Sequence, residues 1–144
     1  MNKKNLIKVL FITTCLFLTS FNLKSQCNDT LVDLAILQSG PDAIFIKEFK
    51  VRFKKGKTNR PAKVAKYPVY LKDSTNYRFN VLNAKEFDGK VILQLFRNGK
   101  LMGSTYDFTN LEYKNSFDFE CKHTDRYQIL MSFIEGKAGC AVGI

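Results

Sequence analysis

The stretch Val91-Ile92-Leu93-Gln94-Leu95-Phe96-Arg97-Asn98-Gly99-Lys100-Leu101 decides the fold class. Its first six residues are apolar on both alternating faces, which suggests a central strand covered from both sides. Asn98-Gly99 then supplies two residues that tolerate positive φ, as both central positions of a type I′ turn require. The chain therefore doubles back, and Leu101–Thr105 is the returning strand.

Outward from this hairpin the same two-residue period recurs. Phe49, Val51 and Phe53 alternate with Lys50, Arg52 and Lys54. Tyr67, Val69 and Leu71 repeat the pattern, and Tyr77, Phe79 and Val81 do so against Arg78 and Asn80. Such alternation marks strands that bury one face and wet the other. Phe117 and Phe119 with Cys121, then Tyr127, Ile129, Met131 and Phe133, add two more, separated by a turn at His123-Thr124-Asp125. Gly139–Ile144 reads as a last strand closing a sheet edge. No helical pattern separates the strands, so a parallel βαβ sheet is not expected. About eight strands point to an all-β, antiparallel, jelly-roll-like sandwich. Before Pro41, Thr30–Gln38 places Leu31, Leu34, Ala35 and Gln38 at helical spacing. Asp29 or Thr30 is its candidate cap, and a short entry strand is the competing reading.

The N-terminus reads as a secretory leader. Lys3, Lys4 and Lys8 precede thirteen uncharged, mostly apolar residues, Val9 to Phe21, fewer than the roughly 20 a spanning helix needs. Ser25 offers the small residue a signal peptidase wants, so residues 1–25 are expected to be removed before Gln26, with an uncleaved anchor as the competing reading. Lipid attachment at Cys27 is disfavoured by Lys24 and Gln26 just before it. The expected mature chain, residues 26–144, is the size of one domain, periplasmic or secreted. The leader carries four lysines and no acid, so the net charge of +10 falls to +6 on its removal.

Export permits a disulfide, and the mature chain has Cys27, Cys121 and Cys140. Cys121 with Cys140 is the favoured pair, since it would close a loop of about 20 residues and stabilise the fold by roughly 3 kcal/mol. Cys27 with Cys140 is the runner-up. The spacings do not suit zinc, and His123 is the only histidine, so neither a metal nor a cofactor is expected.

The layout from Tyr67 to Ile134 resembles bacterial pre-peptidase C-terminal domains and the related emp24/GOLD-type β-sandwiches. The likeness rests on Tyr77-Arg78-Phe79, the Asn98-Gly99 hairpin, Phe117-Asp118-Phe119 and Tyr127-Gln128-Ile129 in that order. This chain carries Asp125 where those families often carry Gly. The resemblance implies a non-catalytic appendage or adaptor that binds polymers or proteins.

Two regions are candidate binding sites. Residues 47–66 hold Lys47, Lys50, Arg52, Lys54, Lys55, Lys57, Arg60, Lys63 and Lys66 against one acid, Glu48. Alternation puts Lys50, Arg52 and Lys54 in a solvent-facing stripe suited to an anionic polymer, an acidic protein or lipid headgroups. An edge hairpin that its lysines protect from pairing accounts for the same residues. Nucleic acid is not expected, because aromatics do not interleave with these cations on that face. The second region is the loop-like Tyr106–Asn115, where Tyr106, Phe108 and Tyr113 offer rings for a sugar or protein. A loop tucked over one end of the sandwich explains it as well.

Enzymatic motifs are missing: no Gly-x-Ser-x-Gly, no His-Glu-x-x-His and no phosphate loop occur. Asp107, Asp118 and Glu120 are the acids from which a glycoside hydrolase would draw a carboxylate pair. A solvated strand face explains Asp118 and Glu120 equally. The expectation is an exported, non-enzymatic binding or accessory module of the cell envelope, with an envelope protein or anionic polysaccharide as partner. A structural subunit of an envelope or secretion assembly and a small envelope glycoside hydrolase are the other readings.

Overall fold

The computed structural model describes residues 29–57 and 60–144. The expected leader, its cleavage site and Cys27 lie outside the described residues. The chain opens with helix α1 (Asp29–Gln38). Ten strands follow: β1 (Phe49–Phe53), β2 (Ala65–Leu71), β3 (Thr75–Asn83), β4 (Val91–Arg97), β5 (Lys100–Ser104), β6 (Tyr106–Asp107), β7 (Glu112–Tyr113), β8 (Ser116–Cys121), β9 (Asp125–Phe133) and β10 (Gly139–Gly143). A 3-10 turn, Ile134–Gly136, joins the last two.

One sheet has the order β1-β10-β3-β8 and the other β2-β9-β4-β5, with all neighbours antiparallel. The result is an all-β sandwich. Its core lies between the sheets, where Leu93, Leu95, Ile129 and Met131 are fully buried and Phe49, Val51, Phe79 and Val81 meet them from the opposite side. β1 stacks over β2 through Phe49 and Tyr67, whose rings lie 5.3 Å apart. At the other side Gly103 of β5 lies under the ring of Phe117 of β8. A Cβ at Gly103 would come within 2.3 Å of that ring, so no larger residue fits this close approach.

The reading of β4 as a central strand holds, since it lies between β9 and β5. The hairpin holds too: Asn98 and Gly99 have φ of 50° and 77°, and Arg97 pairs with Lys100. Pro68, which cannot donate to a ladder, sits on β2, an edge strand where that loss is tolerated.

Three expectations are corrected. The C-terminal strand does not close an edge; β10 lies between β1 and β3. The physical reason is that both of its faces are covered, with Ala141 in the core and Val142 under α1. Second, β1 and β2 do not form a hairpin. They belong to different sheets, and the basic segment between them crosses from one layer to the other. Third, α1 buries Val32 and Ala35, with Leu31 and Ile36 half-buried, whereas Leu34 is exposed. Asp29 lies inside the first turn rather than capping it, and its carboxylate takes the ammonium of Lys50 at 2.9 Å. After the helix, Ser39 donates to the Ala35 carbonyl oxygen and Gly40 adopts a φ of 95°, a C-terminal stop that glycine makes without strain.

Candidate functional site

The cationic residues divide into two groups. Lys50, on edge strand β1, is held by Asp29 and Glu48 at 2.9 Å each, and these bonds raise its pKa. Arg52 lies over the ring of Phe87, 5.9 Å from its centre. The expected stripe therefore loses Lys50 to internal pairing. Lys54, Lys55, Lys57, Arg60, Lys63 and Lys66 are exposed and make no ion pair among the described residues. Lys54, Lys55, Lys57, Arg60 and Lys63 sit on the crossing between sheets, which Gly56 anchors by donating to the Gly136 carbonyl at 3.0 Å, and Lys66 sits on β2. Opposite charge close by is what makes a surface cation expensive to recruit, so the crossing, rather than β1, carries the accessible positive field.

The aromatic stretch is a two-stranded ribbon, not an irregular loop. Tyr106 pairs with Tyr113 and Asp107 with Glu112. Asp107 organises its turn: one carboxylate oxygen accepts from the Thr109 and Asn110 backbones, the other from the Asn110 side chain at 3.0 Å, and these bonds lower its pKa. Tyr113 is committed to packing, since its hydroxyl accepts from Asn83 Nδ2 at 2.8 Å and its ring carries Lys90 above it. Tyr106 and Phe108 meet edge to face at 4.9 Å. Of the three expected rings, Phe108 is the one chiefly exposed, at 57%.

Asp118 and Glu120 share the outer face of β8. Asp118 binds Arg78 through two bonds of 2.7 and 2.8 Å, which hold its carboxyl below the usual range. Asp125 is likewise lowered by Arg97 at 2.8 Å.

The expected Cys121–Cys140 bridge is not formed, because Cys121 is a free, buried thiol. Its sulfur faces the His123 carbonyl oxygen at 3.3 Å and the Tyr127 hydroxyl at 3.5 Å. Tyr127 donates to that same carbonyl at 3.0 Å, a tyrosine fastening its own turn as the tyrosine corner of sandwich folds does. Burial first, and the thiol second, push the Tyr127 phenol up to about 12. The pairing of Cys27 with Cys140 involves a residue outside those described. His123 is exposed in its turn.

One feature has no counterpart in the sequence reading. A groove of about 990 Å³ opens between β3 and residues 40–47. Its floor is core: Phe49, Val69, Leu71, Tyr77 and Phe79 line it. Its rim is the run Ile44-Phe45-Ile46, with Ile44 88% and Ile46 69% exposed. A second depression of about 360 Å³ shares Ile46, Lys47 and Val69 with it, so the apolar surface continues toward the edge of β2. Four consecutive apolar residues, Ala43 to Ile46, were the available signal, since they fit neither a two- nor a four-residue period.

Among the described residues, no helix is long and apolar enough to cross a membrane, and no group of three or more His, Cys, Asp or Glu is placed to hold a metal. No protein-family model matches this chain, and neither the curated proteins nor the solved structures yield a significant match.

Proposed function

We propose that this chain is an exported, non-enzymatic binding module of the cell envelope whose ligand is a protein. The observation that carries this reading is the groove beside β3. Over a floor of buried core side chains it is flanked by the exposed Ile44, Phe45 and Ile46, and exposed consecutive apolar residues of this kind are what protein interfaces use. The resemblance to adaptor-type sandwiches agrees with it, as does the lowering of Asp107, Asp118 and Asp125, since a glycosidase acid requires a raised carboxyl. With Cys121 a free thiol, the disulfide of the exported chain falls to Cys27 and Cys140.

A second reading, an anionic polysaccharide held by the crossing segment, is favoured by the exposed cations at Lys54, Lys55 and Lys57. Site-specific photo-crosslinking in the native envelope separates the two. Probes at Ile46, Lys57 and Phe108 report on the groove, the cationic crossing and the aromatic ribbon. A discrete protein adduct at Ile46 is expected. An adduct with polysaccharide at Lys57 would support the second reading, and no adduct at any of the three would contradict a binding module.

A further inference from the structure

Cys140 is disulfide-bonded, and Cys121, the other cysteine among the described residues, is a free thiol. The strand register explains why these two do not join. Cys121 lies opposite Thr75 at one end of β3, whereas the Cys140 carbonyl accepts from Ala84, just past the other end. Thr75 and Ala84 are about nine residues apart, or roughly 30 Å along an extended strand. A disulfide holds its two Cα atoms within about 7 Å. The faces differ as well. Cys121 packs in the core between the sheets, while Ala141 points into that core and so turns Cys140, like Val142, to the outer face.

What lies over that outer face is α1. Val32 and Ala35 pack with Val142, and just past the helix end Ser39 meets Asn80, the residue paired with Ile144. The helix start lies toward β1: Asp29 binds Lys50, which stands opposite Val142, two residues along from Cys140. In sequence Cys27 precedes Asp29 by two residues, a reach of up to about 7 Å. The remaining cysteine, Cys15, belongs to the expected leader and is lost with it.

We propose that Cys27 is the disulfide partner of Cys140 and that the bond clasps the start of α1 onto β10. The same sulfur is then closed to acylation, so the exported chain carries no lipid anchor. Two thiols become one S–S bond; both electrons and both protons pass to the disulfide of an envelope thiol oxidant, which is released as a dithiol. The clasp matters because α1 has little else to hold its start. The helix buries Val32 and Ala35, and the ion pair to Lys50 uses a carboxylate that is 96% exposed. The Asn80–Ser39 bond secures the far end alone. This rests on the reading of the chain as exported and specifies the covalent form in which it is exported.

The test isolates the full-length gene product from its native cells, blocks thiols with N-ethylmaleimide at harvest, and maps peptides by mass spectrometry without reduction. A peptide linking Cys27 to Cys140 is expected, with the leader removed and no acyl mass on Cys27. Leader removal with Cys27 alkylated or acylated would overturn the clasp and leave the binding-module reading standing. A chain that keeps its leader and has both cysteines alkylated would overturn export and clasp together. Cys27→Ser and Cys140→Ser supply a second measurement. Each is expected to lower Tm by roughly 10 °C, since the bond closes a loop of about 110 residues, and to speed amide exchange in α1 at least about 10-fold. The double variant is expected to do no more than either single one, because both remove the same bond. Additive losses would overturn the proposal. So would Cys27→Ser moving the chain from the membrane to the soluble fraction while Cys140→Ser leaves it in place. Where a variant fails to accumulate, the peptide map of the unaltered chain decides alone.

Discussion

Asn80 and Ile144 exchange two backbone hydrogen bonds of 2.9 Å, and this pair is the last rung between β3 and the C-terminal strand. The Asn80 side chain extends the link to the helix by donating to Ser39 Oγ at 2.7 Å, and Ser39 in turn donates to Ala35. Asn80 is itself buried. One residue thus joins α1, β3 and the end of β10, and it stands at the inner end of the groove. On the Val81 side of it β3 pairs with β10, and on the Phe79 side it pairs with β8.

Thr105 is fully buried, and its hydroxyl accepts the Leu93 amide at 2.9 Å, just past the end of β5. Thr105→Val keeps the shape but leaves that N–H with no acceptor. The variant is expected to lose about 1–3 kcal/mol, read as a lower denaturant midpoint with an unchanged slope.

The pH dependence has two limbs. Tyr127 is raised to about 12 in the folded chain, above its unfolded value near 10. Its contribution is therefore fully present below about pH 10 and is lost as pH rises through 12. Asp118 and Asp125 are lowered by Arg78 and Arg97, so their contribution is present above about pH 4 and is lost as pH falls further. Urea melts across pH should show both losses. Tyr127→Phe should remove the alkaline one while costing about 1 kcal/mol at neutral pH from the lost bond to His123. An unchanged alkaline loss in that variant would mean another group carries it.

The sandwich was legible because its signal is local. Alternation at Phe49–Phe53, Tyr67–Leu71 and Tyr127–Phe133 requires no knowledge of neighbours, and Asn98-Gly99 fixes its own turn. Strand order is not local. Phe49 and Tyr67 face the same core from different sheets, yet in sequence their strands look like the two arms of a hairpin. The position of β10 depends on pairing with residues about 60 and 90 positions earlier, which no short window contains. The groove was invisible for the same reason, since the residues that line it come from the end of α1, residues 40–47, β2, β3 and β8. Lys50 looked available because its partner Asp29 lies 21 residues away, across a helix.

The thiol assignment has a simple chemical test. Cys121 is buried against Tyr127 and His123. It should resist alkylation in the native protein and react once the chain is unfolded without reductant. Peptide mapping that found Cys121 in a disulfide would contradict its place in the core.

The two groups of cations predict different losses on an anionic resin. Replacing Lys54, Lys55 and Lys57 together by Gln should cut the salt needed for elution markedly, because these charges are exposed and uncompensated nearby. Lys50→Gln should change it little, since Asp29 and Glu48 already neutralise that ammonium. An equal effect of both would mean that the β1 stripe is accessible after all.

The central claim is that the groove beside β3, with Ile44, Phe45 and Ile46 on its rim, binds a protein, and photo-crosslinking from Ile46 in the native envelope tests it most directly. A discrete protein adduct is expected at Ile46 and not at the exposed Phe108. The absence of any protein adduct at Ile46 would contradict the account.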